Sequence, residues 1–201
     1  MGDKPTIVVA TNNLGKLKEF ALLMPNFKII SQSSLSITPE EELGETFFEN
    51  SLQKARVANN ASGMVSLGDD SGLIVPALNN LPGLRSARYA HENATDEENR
   101  QHLRKELEAL DLDQTQAYFV CVLVLVQASA DPFPLIATGL LKGSVKTTMQ
   151  GANGFGYDPM FYPKDSNLSL GEMNAEQKAL LSHRGKAIQV LKRKIEGFAS
   201  E

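Results

Sequence analysis

Residues 151–159 form the segment whose composition points most directly to ligand chemistry: Gly-Ala-Asn-Gly-Phe-Gly-Tyr-Asp-Pro. The three glycines allow the backbone to turn sharply and to approach a ligand closely. An aromatic side chain on such a loop offers a flat face for stacking, and Asp158 offers an acceptor for a ring N–H group. The segment therefore predicts a site for a planar heterocycle with a donor edge. The alternative is a tight turn whose aromatic side chains fill the core.

A polar loop, residues 11–16, follows the first predicted strand and reads Thr-Asn-Asn-Leu-Gly-Lys. A strand that runs through a loop into a helix places free backbone N–H groups and the positive end of the helix dipole at that loop. Lys16 adds a formal positive charge, so the loop predicts a phosphate site. It is not a Walker A loop, because Ala10 and Leu17 replace residues which that pattern requires. The alternative is a capped helix with a surface lysine.

Carboxylates from two segments predict a metal site. Residues 40–42 are all glutamates, and Asp69 and Asp70 are predicted to lie in a strand-breaking turn over residues 68–72. Adjacent aspartates resist ionising together, and a divalent cation removes that penalty. Hard oxygen ligands suit Mg²⁺, which also bridges substrate phosphates. For the glutamates the alternative is a solvated acidic loop, which is the expectation for two of the three.

A further group of donors lies near the carboxyl end of the sequence. Lys178 and Ser182 are four positions apart and share one face of a predicted helix, while His183 and Arg184 lie where that helix is predicted to break. Lysine, histidine and arginine donors of this kind converge readily on a phosphate or on the carbonyl edge of a base. The group therefore predicts contacts to an anionic or carbonyl-bearing ligand.

The elements that must position these residues alternate between strands and helices, which predicts an α/β fold with a mixed sheet. Strands are predicted over residues 6–10, 65–67, 73–75, 117–126 and 135–138. Helices are predicted over residues 14–24, 47–63, from 96 onward and over 175–196, the last with a break near residues 182–185. Thr46 with Glu49 and Thr95 with Glu98 are predicted capping boxes.

Composition bounds the class of protein. The 201 residues, 42% hydrophobic and 22% charged, predict one large globular domain or two small lobes. The net charge of −4 argues against sequence-independent binding of nucleic acid. The longest apolar run, residues 119–126, is too short to span a membrane, and the amino-terminal segment lacks a signal-peptide pattern. We therefore expect a cytoplasmic protein that binds neither nucleic acid nor membrane.

Taken in order, these motifs resemble the family of non-canonical purine nucleoside triphosphate pyrophosphatases, the Ham1/inosine triphosphatase family, whose members hydrolyse XTP, ITP and dITP. The matching segments are Thr11-x-Asn13-x-x-Lys16, Thr46-x-x-x-Asn50-x-x-x-Lys54-Ala55, Asp69-Asp70-Ser71-Gly72-Leu73, Ser86-Ala87-Arg88-Tyr89, Gly154-Phe155-Gly156-Tyr157-Asp158-Pro159 and Ser182-His183-Arg184-Gly185. Asn12 stands where many members have glycine, so we expect a less flexible phosphate loop.

The resemblance implies an α/β, two-lobed ITPase-like (Maf/Ham1) fold with an elongated mixed sheet and an active-site cleft between the lobes. It also implies a homodimer and one catalytic domain over residues 1–201. The implied reaction is Mg²⁺-dependent hydrolysis between the α- and β-phosphates, which yields a nucleoside monophosphate and pyrophosphate and so cleanses the nucleotide pool.

The resemblance also assigns roles to single residues. Phosphate contacts fall to Thr11, Asn12, Asn13, Leu14, Gly15, Lys16 and Lys54. Glu42 and Asp70 become Mg²⁺ ligands, Asp70 becomes the general base on the attacking water, and Ser71 contacts the substrate. Contacts to the base fall to Phe155, Gly156, Tyr157, Asp158, Lys178, His183 and Arg184.

Two other functions are compatible with parts of this pattern. One is a Maf-type nucleotide pyrophosphatase with a different base preference, against which the motifs around Phe155 and His183 argue. The other is a non-catalytic nucleotide-sensing module built on the same loops. The Asp69-Asp70 pair argues against that module, because an anion binder gains nothing from extra carboxylates without a metal.

Overall fold

The computed structural model describes residues 3–198 and confirms the α/β class. Its strands are β1 (Thr6–Val9), β2 (Lys28–Ser31), β3 (Ser66–Ile74), β4 (Gln114–Val126), β5 (Leu135–Lys146) and β6 (Phe161–Pro163). Its α-helices are α1 (Leu14–Leu23), α2 (Phe47–Ser62), α3 (Asp96–Glu108), α4 (Ala175–Leu181) and α5 (His183–Phe198). Residues 1, 2 and 199–201 of the predicted 1–201 domain lie outside the described residues.

The strands form a mixed sheet in the order β2-β1-β3-β4-β5-β6. Strand β1 pairs in parallel with β2 and with β3, with Val8 opposite Ile30 and Ser66. Strands β5 and β6 are antiparallel, with Val145 opposite Phe161. The prediction of a mixed sheet is therefore confirmed.

The chain divides into two compact units. Unit 1 contains the residues up to Asp70, then Cys121–Gly139, then the residues from Arg184 onward. Unit 2 contains Ser71–Val120 and Leu140–His183. Strands β3, β4 and β5 each contribute residues to both units.

The core of unit 1 anchors the helix that follows the polar loop. Phe20 and Met24 at the carboxyl end of α1 are fully buried and belong to one apolar cluster with Val9 of β1 and Ile188 and Leu191 of α5. Burying large apolar side chains of this kind stabilises the fold by roughly 1.5–3 kcal/mol each. Since β1 and α1 are fixed in the same cluster, the loop between them is held at both of its ends.

The core of unit 2 anchors one end of the glycine-rich segment. Tyr157 and Met160 are buried in a cluster that includes Leu103 and Leu107 of α3 and Phe161 of β6. The segment therefore enters the core immediately after its third glycine, and Tyr157 fills the core as the tight-turn alternative expects.

The predicted strand-breaking turn at Asp69 and Asp70 is wrong, because β3 is one unbroken strand over these positions. Gly68 serves close packing instead of a turn: a Cβ atom at this position would lie 1.9 Å from the carbonyl oxygen of Ser51. The strand tolerates the buried Asp69 carboxylate because cations from elsewhere in the fold bind it. A single sequence does not display those partners, and so the polar run resembled a turn.

Other boundaries were predicted with mixed success. Thr95 and Glu98 form the predicted capping box, α2 ends at Gly63 with a φ of 66°, and an extended Ser182 separates α4 from α5 as predicted. Strand β5 continues beyond the predicted residue 138 to Lys146, and neither β2 nor the three-residue β6 was predicted. Short strands carry too few residues to show a clear alternation of polar and apolar side chains.

Candidate active site

The polar loop after β1 is shaped by its own side chains. Asn13 caps α1, with its side-chain oxygen accepting a hydrogen bond from the Lys16 backbone N–H at 3.0 Å. Thr11 Oγ1 accepts from the Asn13 N–H at 3.1 Å, and Asn12 Oδ1 accepts from the Gln32 side chain at 3.3 Å. The capped-helix alternative is thus correct at Asn13. A cap of this kind is compatible with an anion at the start of the helix, and the phosphate site stays a prediction.

Lys16 and Arg184 meet at the buried carboxylate of Asp69. Lys16 Nζ lies 2.9 Å from Asp69 Oδ1, and Arg184 Nε lies 2.6 Å from Asp69 Oδ2. Arg184 Nη1 also contacts Glu19 Oε2 of α1 at 2.6 Å. Burial alone would raise the pKa of Asp69, but the positive charges of Arg184 and Lys16 outweigh it and hold that pKa well below its usual range. Asp69 is therefore an anchored anion that orients Lys16.

A second charged group forms around the buried Asp70. Lys54 Nζ of α2 lies 2.7 Å from Asp70 Oδ1 and 2.6 Å from Glu42 Oε1. Asn50, one helical turn before Lys54, donates from Nδ2 to Asp70 Oδ2 at 3.3 Å. Burial raises the pKa of Asp70, with the charge of Glu42 adding to the rise and Lys54 opposing it. The structure thus brings the predicted Glu42, Lys54 and Asp70 together, and makes Asp70 more basic than an ordinary aspartate.

The glutamates beside this group differ from one another. Glu42 is half-buried and shares Lys54, whereas Glu40 and Glu41 are exposed. This agrees with the expectation that two of the three are solvated. Asn50 was not among the predicted site residues, although its spacing of four from Lys54 placed both on one helix face.

The carboxylates of Glu42 and Asp70 suit a metal ion that takes only one or two of its ligands from the protein. Between residues 3 and 198 no group of three or more histidine, cysteine, aspartate or glutamate side chains is arranged to hold a metal. Glu42 and Asp70, however, both contact one cation, the Lys54 ammonium. Mg²⁺ is commonly held by one or two carboxylates together with substrate phosphates and waters. These two residues therefore match the donor set that Mg²⁺ uses.

In unit 2 the glycine-rich segment folds around Asp158. The Phe155 N–H donates to Asp158 Oδ2 at 2.8 Å, and Lys178 Nζ of α4 donates to the same oxygen at 2.7 Å. The Lys178 ammonium also lies 4.2 Å from the centre of the Phe155 ring. Gly154 has a φ of 79°, and a Cβ there would lie 2.0 Å from Asp158 Oδ2. The predicted Phe155, Asp158 and Lys178 therefore form one cluster that requires glycine at 154.

Tyr157 and His183 take buried positions in unit 2. The Tyr157 hydroxyl donates to the Ser86 carbonyl at 2.9 Å, and burial raises the pKa of this phenol. The Ser86 hydroxyl accepts from the Leu73 N–H at 2.9 Å, which joins two of the matching sequence motifs. The His183 ring stacks on Phe119, with 4.7 Å between ring centres. These contacts fix both side chains, and their predicted contacts to a base stay predictions.

Three further predicted site residues lie in unit 1 or at its boundary with unit 2 in the sequence. Leu14 is 72% exposed, and its predicted role uses the backbone of the loop. Ser71 follows Asp70 in β3 and is half-buried. Arg184 contacts Asp69 and Glu19, which gives it a part in holding Asp69, while its predicted contact to the base stays a prediction.

Comparison with known proteins places the chain in a family. A model of the Ham1 family matches residues 7–194. The chain belongs to the Ham1 family. Two relatives described as dITP/XTP pyrophosphatases come from Haemophilus influenzae and Legionella pneumophila (strain Lens). Each is 45% identical; the first aligns over 96% of this chain and 100% of the relative, and the second over 92% and 96%.

Solved structures of Ham1 proteins confirm the fold. A HAM1 protein from Coxiella burnetii matches with a TM-score of 0.86 at 41% identity, covering 96% of this chain and 99% of that one. The Ham1 protein of Staphylococcus aureus matches with a TM-score of 0.82 at 37% identity, covering 96% and 98%. The predicted family and the ITPase-like fold are therefore confirmed.

Proposed function

We propose that this protein hydrolyses non-canonical purine nucleoside triphosphates (ITP, dITP and XTP) to the monophosphate and pyrophosphate. The observation that carries the proposal is the group formed by buried Asp70 with half-buried Lys54 and Glu42, in a chain of the Ham1 family. Its relatives described as dITP/XTP pyrophosphatases support the same substrate class and reaction.

The residues of unit 1 supply what phosphoryl transfer needs. Lys16, Lys54 and the N–H groups at the start of α1 are donors for the phosphate oxygens, since positioning and charge neutralisation are the main demands of this chemistry. Asp70 takes a proton from the attacking water as the water oxygen bonds to phosphorus and the bond between the α- and β-phosphates breaks. In the metal-free site, burial raises the pKa of Asp70, which favours uptake of a proton by this carboxylate.

Mg²⁺ is part of the proposal, with Glu42 and Asp70 as its protein ligands. Bound there, the ion would neutralise charge that develops on the phosphates. Lys54 contacts both carboxylates, and with the ion bound between them it would be available to a phosphate. The double charge of Mg²⁺ would compensate both carboxylates, of which the single charge of Lys54 compensates only part.

The residues of unit 2 supply recognition of the base. Phe155 offers a face for stacking, while Asp158 and Lys178 offer an acceptor and a donor. Hypoxanthine and xanthine present N1–H as a donor and O6 as an acceptor, and adenine reverses both. Adenine would leave buried polar groups unpaired, at about 1–3 kcal/mol for each neutral group.

We also propose that the protein is a homodimer in the cytoplasm and that residues 1–201 form one catalytic domain. The resemblance to the Ham1 family supports the dimer and the single domain. The cytoplasm is proposed because an enzyme of this kind acts on the nucleotide pool there. Over residues 3–198, none of the helices has both the length and the apolar character needed to cross a membrane. Light scattering during size-exclusion chromatography measures the oligomeric state directly.

Pyrophosphate release from ITP, XTP, dTTP and ATP, measured in parallel with and without a chelator, tests the proposed activity. We expect ITP and XTP to be hydrolysed far faster than ATP, with pyrophosphate and monophosphate formed in equal amounts and no turnover in the chelator. Preference for dTTP would instead indicate the Maf-type specificity. Binding without release would indicate a sensing module, and formation of a diphosphate with phosphate would place the broken bond elsewhere.

A further inference from the structure

Two residues of α3, Asp96 and Arg100, contact the glycine-rich segment from outside it. The Gly156 N–H donates to Asp96 Oδ2 at 2.7 Å, and Arg100 Nη1 donates to the Gly156 carbonyl at 2.5 Å. Asp96 and Arg100 are four positions apart, one helical turn, and so lie on one face of α3. Both polar backbone groups of a single glycine are therefore bound by charged side chains, which form shorter and stronger hydrogen bonds than neutral ones.

The α3 helix is a rigid support for these contacts. Leu103 and Leu107 are fully buried in the core of unit 2. Asn99, also buried, accepts from the Ala90 N–H at 2.9 Å and donates to the Ala87 carbonyl at 3.0 Å. Since the first turns of α3 are fixed by these bonds, Asp96 and Arg100 reach Gly156 from a helix that does not need to reorganise.

Arg100 is itself held in place. Its Nη2 lies 2.8 Å from Glu97 Oε2, and its side chain is only 16% exposed. Glu97 in turn accepts from the Gln101 side chain at 2.7 Å. The guanidinium is thereby oriented before it meets the Gly156 carbonyl, so little side-chain freedom is lost in forming the contact.

Gly156 occupies the position where the loop most needs an external constraint. It has a φ of 58°, and a Cβ there would have no heavy atom within 4 Å outside the adjacent residues, so packing against a side chain at this position does not hold the backbone. Its N–H belongs to the peptide bond that follows Phe155. Fixing that peptide limits the orientations open to the Phe155 ring, and a glycine left unconstrained would have to be ordered when a ligand binds.

We propose that Asp96 and Arg100 are positioning residues that hold the Phe155–Gly156 peptide in place for stacking of the substrate base. This inference rests on the proposed function, since it assigns Phe155 to the base. The two residues have no role at the reacting phosphates. Their loss should therefore weaken binding of ground state and transition state alike, which raises KM and leaves kcat unchanged.

The test compares Asp96→Ala, Asp96→Asn and Arg100→Ala with the wild-type protein on ITP. We expect Asp96→Ala and Arg100→Ala each to raise KM roughly tenfold, as loss of a charged hydrogen bond implies, with kcat within twofold. Asp96→Asn keeps an oxygen acceptor and should restore KM to within about threefold of wild type. If Asp96 acted only through the dipole of α3, the asparagine and alanine variants would be equally impaired.

Arg104→Ala is the matched control, because Arg104 lies on the same helix and pairs with Glu108 at the surface. It should leave KM unchanged. Amide hydrogen exchange at Gly156, followed by NMR, gives a readout that does not depend on catalysis: we expect exchange to be roughly tenfold faster in Asp96→Ala and unchanged in Arg104→Ala. Unchanged exchange and KM in Asp96→Ala would overturn the positioning role. Failure of the wild-type protein to hydrolyse ITP would instead overturn the proposed function. The exchange measurement would still test whether Asp96 holds the Gly156 backbone in place.

Discussion

Asp69 and Arg184, which are 115 positions apart in the sequence, form an ion pair with 2.6 Å between Asp69 Oδ2 and Arg184 Nε, and both side chains are buried. The neighbouring Asp70 instead contacts the half-buried Lys54. The pKa of Asp69 is lowered and that of Asp70 is raised, so the two adjacent aspartates differ in how readily they take up a proton. Asp69 is an anion that holds Lys16, and Asp70 is the proposed base.

The first prediction concerns the stability that this pair provides. Asp69→Asn should lower the free energy of unfolding by about 3–5 kcal/mol at pH 7, because it leaves the Arg184 charge buried with less compensation. Urea unfolding followed by circular dichroism measures the change. Asp165→Asn, at an exposed position, is the control and should shift stability by less than about 0.5 kcal/mol.

The pH dependence of this difference follows from the lowered pKa. A depressed pKa in the folded state means that Asp69 stabilises the fold above the ordinary aspartate pKa of about 4, and that its contribution is lost as the pH falls below that value. The difference in the free energy of unfolding between wild type and Asp69→Asn should thus have its full value at pH 7 and shrink below a pH of about 4. A gap that stayed constant down to pH 3 would contradict the assignment.

The second prediction separates activity from stability at Asp70. Asp70→Asn should lose nearly all ITP hydrolysis, since a positioned acid–base group alone contributes about 10²–10⁴-fold. It should not be less stable than wild type at pH 7. The raised pKa means that the ionised Asp70 carboxylate costs stability above that pKa, and asparagine removes this cost.

Rates of pyrophosphate release and urea midpoints, measured on the same preparations, test both parts. The stability advantage of Asp70→Asn should disappear as the pH falls toward about 4. The wild-type Asp70 carboxyl is then protonated and, like the asparagine amide, carries no charge. A folded variant that hydrolysed ITP at the wild-type rate would show that Asp70 is not the base.

The third prediction concerns selection of the base. Phe155→Ala should reduce kcat/KM for ITP and ATP by similar factors of about 5- to 150-fold, because stacking is worth about 1–3 kcal/mol for any purine. Asp158→Ala should reduce kcat/KM for ITP more than kcat/KM for ATP, and so lower the ratio of the ITP value to the ATP value. Phe133→Ala, which changes a phenylalanine that is 77% exposed, is the control and should alter neither value.

Asp158 has a structural role besides its proposed part in base selection, since it binds Lys178 and the Phe155 N–H. Its removal should therefore lower activity toward both nucleotides, and the ratio between them is the decisive quantity. An unchanged ITP/ATP ratio in Asp158→Ala would show that the base is selected by other groups.

The fourth prediction concerns Gly154. In Gly154→Ala the new methyl group would overlap Asp158 Oδ2, so the loop must shift, and we expect kcat/KM for ITP to fall at least about tenfold. Gly63→Ala is the matched control, because Gly63 also has a positive φ but a methyl group there would meet no heavy atom within 4 Å. It should lose about 1 kcal/mol of stability and keep the wild-type rate. Equal rates for the two variants would contradict the close contact at Gly154.

The sequence by itself determined the local structure and the chemical inventory of this protein. The Thr95–Glu98 capping box, the glycine that ends α2 and the break at Ser182 follow from residues within a few positions of one another, and all three were predicted correctly. Such contacts form because the backbone geometry of one helical turn brings them together whatever the rest of the chain does. The order of the motifs also sufficed to predict the family.

Only the tertiary structure decided which charges meet. Asp69 and Asp70 look alike in the sequence, and they were predicted to form a turn. Instead β3 continues through them, with Arg184 and Lys16 at the first and Lys54 at the second. The contact of Arg100 with Gly156, 56 positions away, carries no sequence signal at all. A charged group is stabilised by whichever opposite charge lies within a few ångströms, and the folding of distant segments alone sets that distance.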